Sequence, residues 1–389
     1  MRQMRSVLLA GSVLALAACA NDQGTPAAAP EQAAPLRSAA AGRAIEGSYI
    51  VVLREGASPR SVAAVAGVEP SHVYTAALNG FAATLNAGQL NALRHNPNVD
   101  YVEEDQVMDL AVTQSSATWG IDRIDQRNRP LSGTYTYNTT ASNVTAYIID
   151  TGLRADHTQF GGRASNVYNA ISGETASDCN GHGTHVGGTV GGSTYGVAKG
   201  VRLRGVKVLS CSGSGSNSGI IAGVDWVRAN AVKPAVANMS LGGGYSSATN
   251  TAVNNLANSG VYVAVASGNS NANACNYSPA SAANVTSVNS STSTDAKSSF
   301  SNYGSCTHVY APGSSITSAW HTSTSATNTI SGTSMASPHV AGVGALYLAG
   351  NPGASNSTVR SWIINNSTAN VISGNPTGTP NRLLYKSTL

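Results

Sequence analysis

The feature that most constrains the fold is an alternation of apolar strands and helices from about residue 119 onward. Short runs rich in Val, Ile and Ala, typical of strands buried on both faces, lie at residues 144–149, 201–209, 236–241 and 261–266. Helical patterns lie at residues 220–230 and 335–349. Strands that alternate with helices predict an α/β fold with a central, mostly parallel sheet covered by helices on both faces.

A smaller unit with a different pattern precedes this part of the chain. Strand patterns at residues 48–53, 73–78, 80–85 and 99–105 accompany helical patterns at 61–67 and 86–95. The resulting order βαββαβ predicts a small α+β, ferredoxin-like domain over residues 47–110. Residues 19–46 before it are rich in Ala, Pro and Gln, which predicts a linker rather than a folded segment.

The first 18 residues have the pattern of an export signal. Arg2 and Arg5 are followed by an apolar run that is too short to span a bilayer as a mature helix. The run ends in Leu-Ala-Ala-Cys, which resembles a bacterial lipoprotein signal with Cys19 as the lipidated residue. Cleavage after Ala20 is the alternative, because Ala-Cys-Ala also fits a small-x-small site. Both routes take the protein out of the cytoplasm, and contact with a membrane is expected only if Cys19 is lipidated.

Composition agrees with export and excludes several other classes. Charged residues make up 10% of the chain, against about 25% in a typical soluble domain. The net charge of +4 is mild and the basic residues are scattered, so nucleic acid is not an expected partner. Four cysteines follow Cys19, none of them at the spacing of a zinc site, and they allow three disulfide pairings: Cys179, Cys211, Cys275 and Cys306.

Three short motifs contain residues suited to nucleophilic catalysis. Ser334, in Gly-Thr-Ser-Met-Ala-Ser-Pro-His, precedes the apolar helix, where a free N–H and the helix dipole suit a nucleophile whose attack forms an oxyanion. His182, in Gly-His-Gly-Thr-His, could act as a general base, and Asp150, at the end of a buried strand, could orient a histidine. Taken singly, each has a plainer interpretation: a helix cap, a structural or metal-binding histidine, and a turn-forming Asp.

The order of the motifs separates the remaining candidates. Asp-Thr-Gly also occurs in aspartic proteases, but those need a second such motif, which this chain lacks. His182 and His185 have no third metal ligand nearby in the sequence. An esterase on an α/β-hydrolase fold would need Gly-x-Ser-x-Gly, whereas Ser334 is followed by Met-Ala. The order Asp, His, Ser is that of the subtilisins.

On these three blocks, the chain from about Thr113 to Leu389 resembles the subtilisin-like serine proteases, most closely the branch of proteinase K and aqualysin. Residues 47–110 resemble the inhibitory propeptide of that family. The resemblance implies a three-layer peptidase domain over residues 111–389, a triad of Asp150, His182 and Ser334, and self-cleavage near residues 111–113. A catalytically inactive binding protein on the same fold would lack one of these groups or the oxyanion residue, and none is missing.

The resemblance also implies a set of substrate-binding residues. The side chain of Asn269, in Ser-Gly-Asn, would join the N–H of Ser334 in an oxyanion hole. Two segments would pair with an extended peptide as added strands: Gly213, Ser214 and Gly215 on one side, and Ser240, Leu241 and Gly242 on the other. Neither segment contains an acidic residue, so a broad or apolar P1 preference is expected. The implied partners are protein or peptide substrates and the chain's own propeptide, with a monomer expected.

Structural features of the same branch complete the expectations. Its members pair the cysteines that match as Cys179–Cys211 and Cys275–Cys306. Asp122, Asp125 and Gln126 match a structural calcium loop of the branch, although a solvated, charged helix start is the alternative. At a second calcium site, the family has an Asp where this chain has Thr307-His308, so that site is expected to be weak or missing.

Overall fold

The structure, a computed structural model, describes residues 33–39, 44–106 and 112–389. The predicted export signal, Cys19 and residues 107–111, at the predicted boundary between propeptide and peptidase domain, lie outside the described residues. The chain divides into two compact units. Of the described residues, the first unit contains 33–38 and 46–105, and the second contains 39, 44–45, 106 and 112–389. In the described ranges, no helix is both long and apolar enough to cross a bilayer.

The first unit has the predicted βαββαβ order, preceded by one short extra strand. Its elements are β1 Leu36–Arg37, β2 Ala44–Leu53, α1 Pro59–Val65, β3 His72–Tyr74, β4 Gly80–Thr84, α2 Ala87–Arg94 and β5 Val99–Gln106. The strands form one sheet in the order β1-β5-β2-β4-β3. The predicted α+β, ferredoxin-like class is therefore confirmed.

Some details of the first unit differ from the predictions. Leu36 pairs in parallel with Val102 through β1, and β2 begins at Ala44, so parts of the predicted linker are strands. An edge strand pairs through its main chain, and a composition rich in Ala and Pro therefore does not exclude it. The strand predicted over 73–78 ends at Tyr74.

The helix starts and the core of the first unit follow from its sequence. Ser58 caps α1 through a bond from the N–H of Ser61, and Asn86 with Gln89 forms a capping box on α2. The core contains Phe81 and Leu93, both fully buried, with apolar residues of α1 and the central strands around them. One face of the small sheet is thus covered by both helices.

The second unit contains the predicted alternation of strands and helices. Its helices are α3 Trp119–Asp125, α4 His182–Gly191, α5 Asn217–Asn230, α6 Ser247–Asn258, α7 Thr333–Gly350 and α8 Asn356–Asn366. Its strands are β6 Val112–Ser115, β7 Thr134–Tyr137, β8 Thr145–Asp150, β9 Ala164–Asn169, β10 Arg202–Lys207, β11 Ala235–Met239, β12 Gly243–Gly244, β13 Tyr262–Ala266, β14 Tyr277–Ser278, β15 Thr286–Ser291, β16 Val309–Pro312, β17 Ile316–Ala319, β18 Thr327–Ile330, β19 Thr368–Ala369 and β20 Arg382–Leu383. Two 3₁₀ turns, Thr158–Phe160 and Ala274–Asn276, complete the list.

The central sheet of the second unit has nine strands in the order β19-β20-β16-β15-β13-β11-β8-β10-β9, parallel except between β19 and β20. Side chains alternate across β8: Ala146 and Ile148 join one core, while Tyr147 and Ile149 join the other. Helices α4, α7 and α8 contribute to the first core, and α5 and α6 to the second. The predicted three-layer α/β architecture is confirmed.

Helix α7 begins two residues earlier than predicted. It starts at Thr333 after Gly332, so Ser334 lies inside its first turn rather than before it. Nearly every residue of this 18-residue helix is buried, which explains its apolar sequence. Gly344 lets the helix pack directly against Tyr262, because a Cβ there would lie 2.4 Å from the ring.

The four cysteines form the two disulfides that the family resemblance implies. Cys179 is bonded to Cys211 and Cys275 to Cys306, with Cα–Cα distances of 4.9 and 5.3 Å. Their sequence separations of 32 and 31 residues correspond to about 3–4 kcal/mol of loop-closure entropy each. The first disulfide joins the segment before His182 to the segment before Gly213.

Candidate active site

Asp150 and His182 meet at the carboxyl end of β8. Asp150 is the last residue of that strand and is fully buried, and His182 is the first residue of α4. The Nδ1 atom of His182 lies 2.7 Å from Oδ1 of Asp150, which also accepts the N–H of Thr151. Gly181, with a φ of 107°, turns the chain into the helix here, and Trp320 leaves no room for a Cβ at that position.

Nearby carboxylates change the acidity of His182. Burial by itself lowers the pKa of its imidazole, but the charge and hydrogen bond of Asp150, with the charge of Asp178, leave the pKa above its usual value. A quarter of the His182 side chain is exposed, while Asp150 is not exposed at all. The arrangement therefore stabilises an imidazolium beside an open cleft, as a general base requires.

Ser334 lies on the wall of the same cleft, in the first turn of α7. N–H groups in a first turn have no partner inside the helix, so the Ser334 N–H is available to a ligand. The Ser334 hydroxyl donates to the carbonyl of Ser240 at 3.1 Å and, within the described residues, has no hydrogen bond to His182. Such bonds are often long in an enzyme without substrate.

A buried polar network holds this end of α7 in place. The Ser240 hydroxyl donates to the carbonyl of Ser334 at 2.7 Å and accepts from the side-chain amide of Asn238. Asn238 in turn accepts from the Ser337 hydroxyl at 2.7 Å. The strand β11 and the residues that follow it are therefore bonded directly to the turn that contains Ser334.

Asn269 is oriented with its amide N–H₂ toward the cleft. Its Oδ1 accepts both the N–H and the hydroxyl of Thr333, at 2.8 Å each. An ideal Cβ built on Gly332 would lie 3.5 Å from Nδ2 of Asn269 and 3.6 Å from the N of Ser334. The nitrogen atoms of the two predicted oxyanion donors thus both lie near the space that the absent side chain of Gly332 leaves open.

The predicted substrate-binding residues line two adjoining parts of the cleft. The larger part, of about 450 Å³, contains His182, Ser334 and Asn269 together with both predicted edges: Gly213, Ser214, Gly215, Ser240, Leu241 and Gly242. The smaller part, of about 190 Å³, lies beside Asn269 and Ser334 and is lined by uncharged residues, many of them glycines. The structure therefore brings together all the predicted catalytic and substrate-binding residues, with Asp150 buried behind His182.

Sequence reasoning missed three residues that hold this site. Asp178 and Thr151 bridge the chain around Asp150 and His182. Asn302, fully buried, accepts the N–H groups of Ser270 and Ala272, and so holds the loop that contains Asn269. An acidic residue shortly before a helix start is a capping signal, which could have identified Asp178. Asn302 has no comparable signal because its partners lie about 30 residues away.

The predicted calcium loop contains oxygen atoms that fit a calcium ion. Asp122, buried, accepts the hydroxyl and N–H of Ser132, and Gln126 Oε1 accepts the same N–H at 2.9 Å. The hydroxyls of Ser132 and Thr134 lie 2.8 Å apart, so two hydroxyl oxygens that the sequence did not indicate as ligands converge there. Asp125 instead contacts Lys386 at 3.0 Å and the N–H of Thr136. A set made only of carboxylate, amide and hydroxyl oxygens is what Ca²⁺ prefers.

The region of the second calcium site does not fit a cation. The Arg360 guanidinium donates to the carbonyls of Ala283 and Val285, at 2.6 and 3.3 Å. Burial and the charge of Arg360 lower the pKa of His308 to about 4, and Nδ1 of the neutral ring accepts the N–H of Ser287. The permanent positive charge of Arg360 near His308 opposes the binding of a second cation there.

Among the described residues, one other group has the geometry of a metal cluster: Glu174, Cys179 and Cys211. The two cysteines are bonded to each other, so they offer no thiolate to a metal. Glu174 instead pairs with Lys207 at 3.1 Å and accepts the N–H of Cys211. This cluster is a structural junction rather than a metal site.

The fold and the site together define a serine hydrolase on a three-layer fold with a parallel sheet. An acid–imidazole pair and a serine in the first turn of a helix lie at one cleft. Comparison with known families specifies the class further. The model of the subtilase family matches residues 141–383, and that of the peptidase inhibitor I9 family matches residues 48–111. The chain belongs to the subtilase family of serine endopeptidases and has an inhibitor-type propeptide domain, as the sequence motifs indicated.

Individual relatives support the assignment over nearly the whole chain. An extracellular serine proteinase of Thermus sp. (strain Rt41A) is 51% identical over 96% of this chain and 97% of its own length. Alkaline serine exoprotease A of Vibrio alginolyticus is 53% identical over 82% of this chain and 61% of the relative. The crystal structure of a cold-adapted subtilisin-like serine proteinase is 54% identical, covers 70% of this chain and 99% of its own, and has a TM-score of 0.68.

Proposed function

We propose that this protein is a secreted serine endopeptidase in which Asp150, His182 and Ser334 form the catalytic triad. The observation that supports this most directly is the 2.7 Å contact between His182 Nδ1 and Asp150 Oδ1 at the edge of a cleft that Ser334 and Asn269 also line. The extracellular Thermus relative, which matches almost end to end, supports export.

In the proposed mechanism, the hydroxyl of Ser334 attacks a peptide carbonyl while His182 Nε2 takes its proton. Asp150 accepts the Nδ1–H, which holds the tautomer in which Nε2 is free, and it stabilises the imidazolium that forms. The Ser334 N–H and the Asn269 amide donate to the oxyanion. His182 then protonates the leaving amine, and water hydrolyses the acyl-enzyme by the same route.

We propose that the substrate binds as an extended strand between the edges at 213–215 and 240–242. Glycine at three of these positions leaves main-chain groups accessible to a peptide, as in other strand-addition sites. The uncharged lining of the smaller part of the cleft favours apolar P1 side chains over charged ones. A substrate panel with Phe, Lys or Glu at P1 tests this, and faster cleavage after Lys or Glu would contradict it.

We further propose that residues 47–110 act as foldase and inhibitor and that the chain cuts itself near residues 111–113. The match of an inhibitor family model to residues 48–111 supports this role. If Cys19 is lipidated, the same cut would free the peptidase domain from the membrane. Mass spectrometry of the cell-bound precursor would reveal a lipid on Cys19.

Labelling with a phosphonofluoridate tests the triad, because such reagents modify only an activated serine. We expect one equivalent of label on the tryptic peptide that contains Ser334, with loss of peptidase activity in proportion. His182→Ala should prevent the labelling, since the hydroxyl would have no base. Stoichiometric labelling at a different serine would contradict the assignment.

Asn269→Ala should lower kcat by about 10²–10³-fold, because one of two oxyanion donors is removed. KM should change little, since the donor acts mainly on the transition state. The neighbouring Asn271→Ala is a suitable control, because the Asn271 side chain contacts Lys297 rather than the cleft. A parallel rise of KM with unchanged kcat would place Asn269 in substrate binding instead.

We also propose that Asp122, Gln126, Ser132 and Thr134 hold a structural calcium ion, which when bound would neutralise the carboxylate of this loop. Removing calcium with EGTA should lower the melting temperature, since a ligand at 100 times its Kd stabilises by about 2.7 kcal/mol. Asp122→Asn should abolish the difference between calcium and EGTA, whereas Asp225→Asn, at an exposed position on α5, should preserve it. Equal melting temperatures of the wild type in calcium and in EGTA would count against the site.

A further inference from the structure

A second carboxylate lies buried beside the proposed triad. Asp178 is four residues before His182 and is 7% exposed. Its Oδ1 accepts from the Thr151 hydroxyl and from the N–H groups of Asn180 and Gly181, each at 2.9 Å. A buried carboxylate is costly unless its oxygens are fully bonded, and here donors surround both of them.

The other oxygen of Asp178 binds the helix that contains His182. Oδ2 accepts the N–H of Thr184 at 2.9 Å and the Thr184 hydroxyl at 2.5 Å. Thr184 is the third residue of α4, so its N–H is one of the donors that a helix leaves without a partner. Asp178 therefore caps the start of α4, where a negative charge is also favoured by the helix dipole.

Thr151 connects this cap to the strand that contains Asp150. Its hydroxyl donates to Asp178 and accepts the N–H of Gly183, the residue after His182. Its carbonyl accepts the ammonium of Lys207 at 3.0 Å. Thr151 follows Asp150 in the chain, and Gly183 follows His182. The Thr151 hydroxyl and the Asp178 carboxylate thus bond the segments next to both members of the pair to one another.

We propose that Asp178 is a positioning residue of the triad, which fixes the Asp150–His182 pair through Thr151 and Thr184. This rests on the proposed function of the triad. The geometry supports it, because Asp178 bonds to the segments on both sides of the pair and touches neither member's side chain in the described structure.

Several other charged or titratable groups face His182, and the test must separate them from Asp178. Asp150 bonds to the ring, and His185 lies one turn further along α4. Lys207, paired with Glu174, binds the carbonyl of Thr151. His321 packs against Gly181 and its carbonyl accepts from Arg154, which pairs with Asp156. Of these, Asp150 and Asp178 are the groups that raise the His182 pKa.

Asp178→Asn should lower kcat by about 10²-fold, because the amide cannot accept all the donors and the pair loses its fixed geometry. The variant should also shift the acid limb of the kcat/KM profile to lower pH. His182 acts as a base only when its imidazole is neutral, so the acid limb of the profile follows the pKa of His182. The negative charge of Asp178 raises this pKa, and its loss therefore moves the acid limb to lower pH. The measurement is a pH–rate profile of the processed enzyme, made from the full-length chain. If the variant does not process itself, immobilised wild-type enzyme removes its propeptide.

Two variants separate charge from geometry. Thr151→Val keeps the Asp178 charge but removes the bridging hydroxyl, so kcat should fall while the acid limb stays in place. Asp156→Asn removes an exposed carboxylate of the same region, and should leave both kcat and the profile unchanged. If Asp178→Asn does not fold, the Thr151→Val result still tests the geometric half.

The outcomes distinguish this inference from the proposed function. Wild-type activity of Asp178→Asn, or a loss of activity with an unmoved acid limb, would overturn the positioning role and leave the triad intact. Wild-type kcat in Thr151→Val would overturn the bridge. Full activity of Ser334→Ala would instead overturn the proposed function itself, whatever Asp178 does.

Discussion

Ser334→Ala is expected to leave the full-length chain uncleaved and without measurable peptidase activity. The substitution removes the attacking oxygen and leaves the donors of the oxyanion hole in place. Loss of the nucleophile in a serine protease of this family costs on the order of 10⁶-fold in kcat. The same catalytic group would perform self-cleavage and substrate cleavage, so both should disappear together.

Intact mass, N-terminal sequencing and hydrolysis of suc-Ala-Ala-Pro-Phe substrates measure this result. The wild type should begin near residues 111–113 and be active, whereas Ser334→Ala should retain the propeptide. Ser331→Ala, in the same segment but outside the cleft lining, should be processed and active. A cleaved and active Ser334→Ala protein would show that a different group attacks the peptide bond.

The variant should fold despite its inactivity. Among the described residues, the hydroxyl of Ser334 makes one hydrogen bond, to the carbonyl of Ser240, whereas the main-chain carbonyl of Ser334 keeps its own bond to the Ser240 hydroxyl. Removing one partly exposed hydroxyl costs about 1 kcal/mol or less. An uncleaved but folded precursor therefore separates loss of chemistry from loss of structure, and far-UV circular dichroism distinguishes the two.

Much of the fold and site was predictable because the signals are local. Strands such as β8 are short continuous apolar runs, and they must be buried on both faces of a parallel sheet. Asp150 ends such a strand, whereas His182 and Ser334 lie in the first turns of helices. Parallel strands place their carboxyl ends at one edge of the sheet, and catalytic groups belong at that edge.

Most of the features that were missed are contacts that no local pattern marks. Asp178 has a local capping signal before α4, but its bond from the Thr151 hydroxyl, 27 residues away, has none. Ser132 and Thr134 follow Gln126 by a turn that contains a proline. Only the fold shows that the Ser132 hydroxyl donates to Asp122 and lies 2.8 Å from the Thr134 hydroxyl. Arg360 reaches the carbonyls of Ala283 and Val285 across more than 70 residues of sequence. Each of these is a tertiary contact between polar groups rather than a local propensity.

The edge strand β1 differs from expectation for another reason. Leu36 and Arg37 have no strand pattern around them, yet they pair with Val102 and Glu103. A two-residue strand is determined by the available edge of its neighbour, and not by its own side chains. Sequence patterns therefore predict central strands better than edges.

Asp150→Asn is expected to lower kcat by about 10⁴-fold at neutral pH, the second largest loss that the site predicts. The amide has nearly the shape of the carboxylate, but its N–H₂ would donate to Nδ1 of His182. The ring would then have its proton on Nε2, and it could not accept the proton of Ser334. Loss of the Asp150 charge would also lower the pKa of His182, so the small remaining activity should extend to lower pH than in the wild type.

Asp150→Asn is expected to lower kcat without lowering the melting temperature. This difference separates a catalytic defect from unfolding. Asp150 is fully buried and its Oδ2 has no hydrogen-bond partner within the described residues, so the charge is held at a cost. A neutral amide relieves that cost, and the melting temperature of Asp150→Asn should equal or exceed that of the wild type. The comparison uses protein processed in trans by immobilised wild-type enzyme, with Ser334→Ala defining the background of the assay. A marked fall in melting temperature, or a kcat within tenfold of wild type, would contradict the role of Asp150 as the group that orients His182.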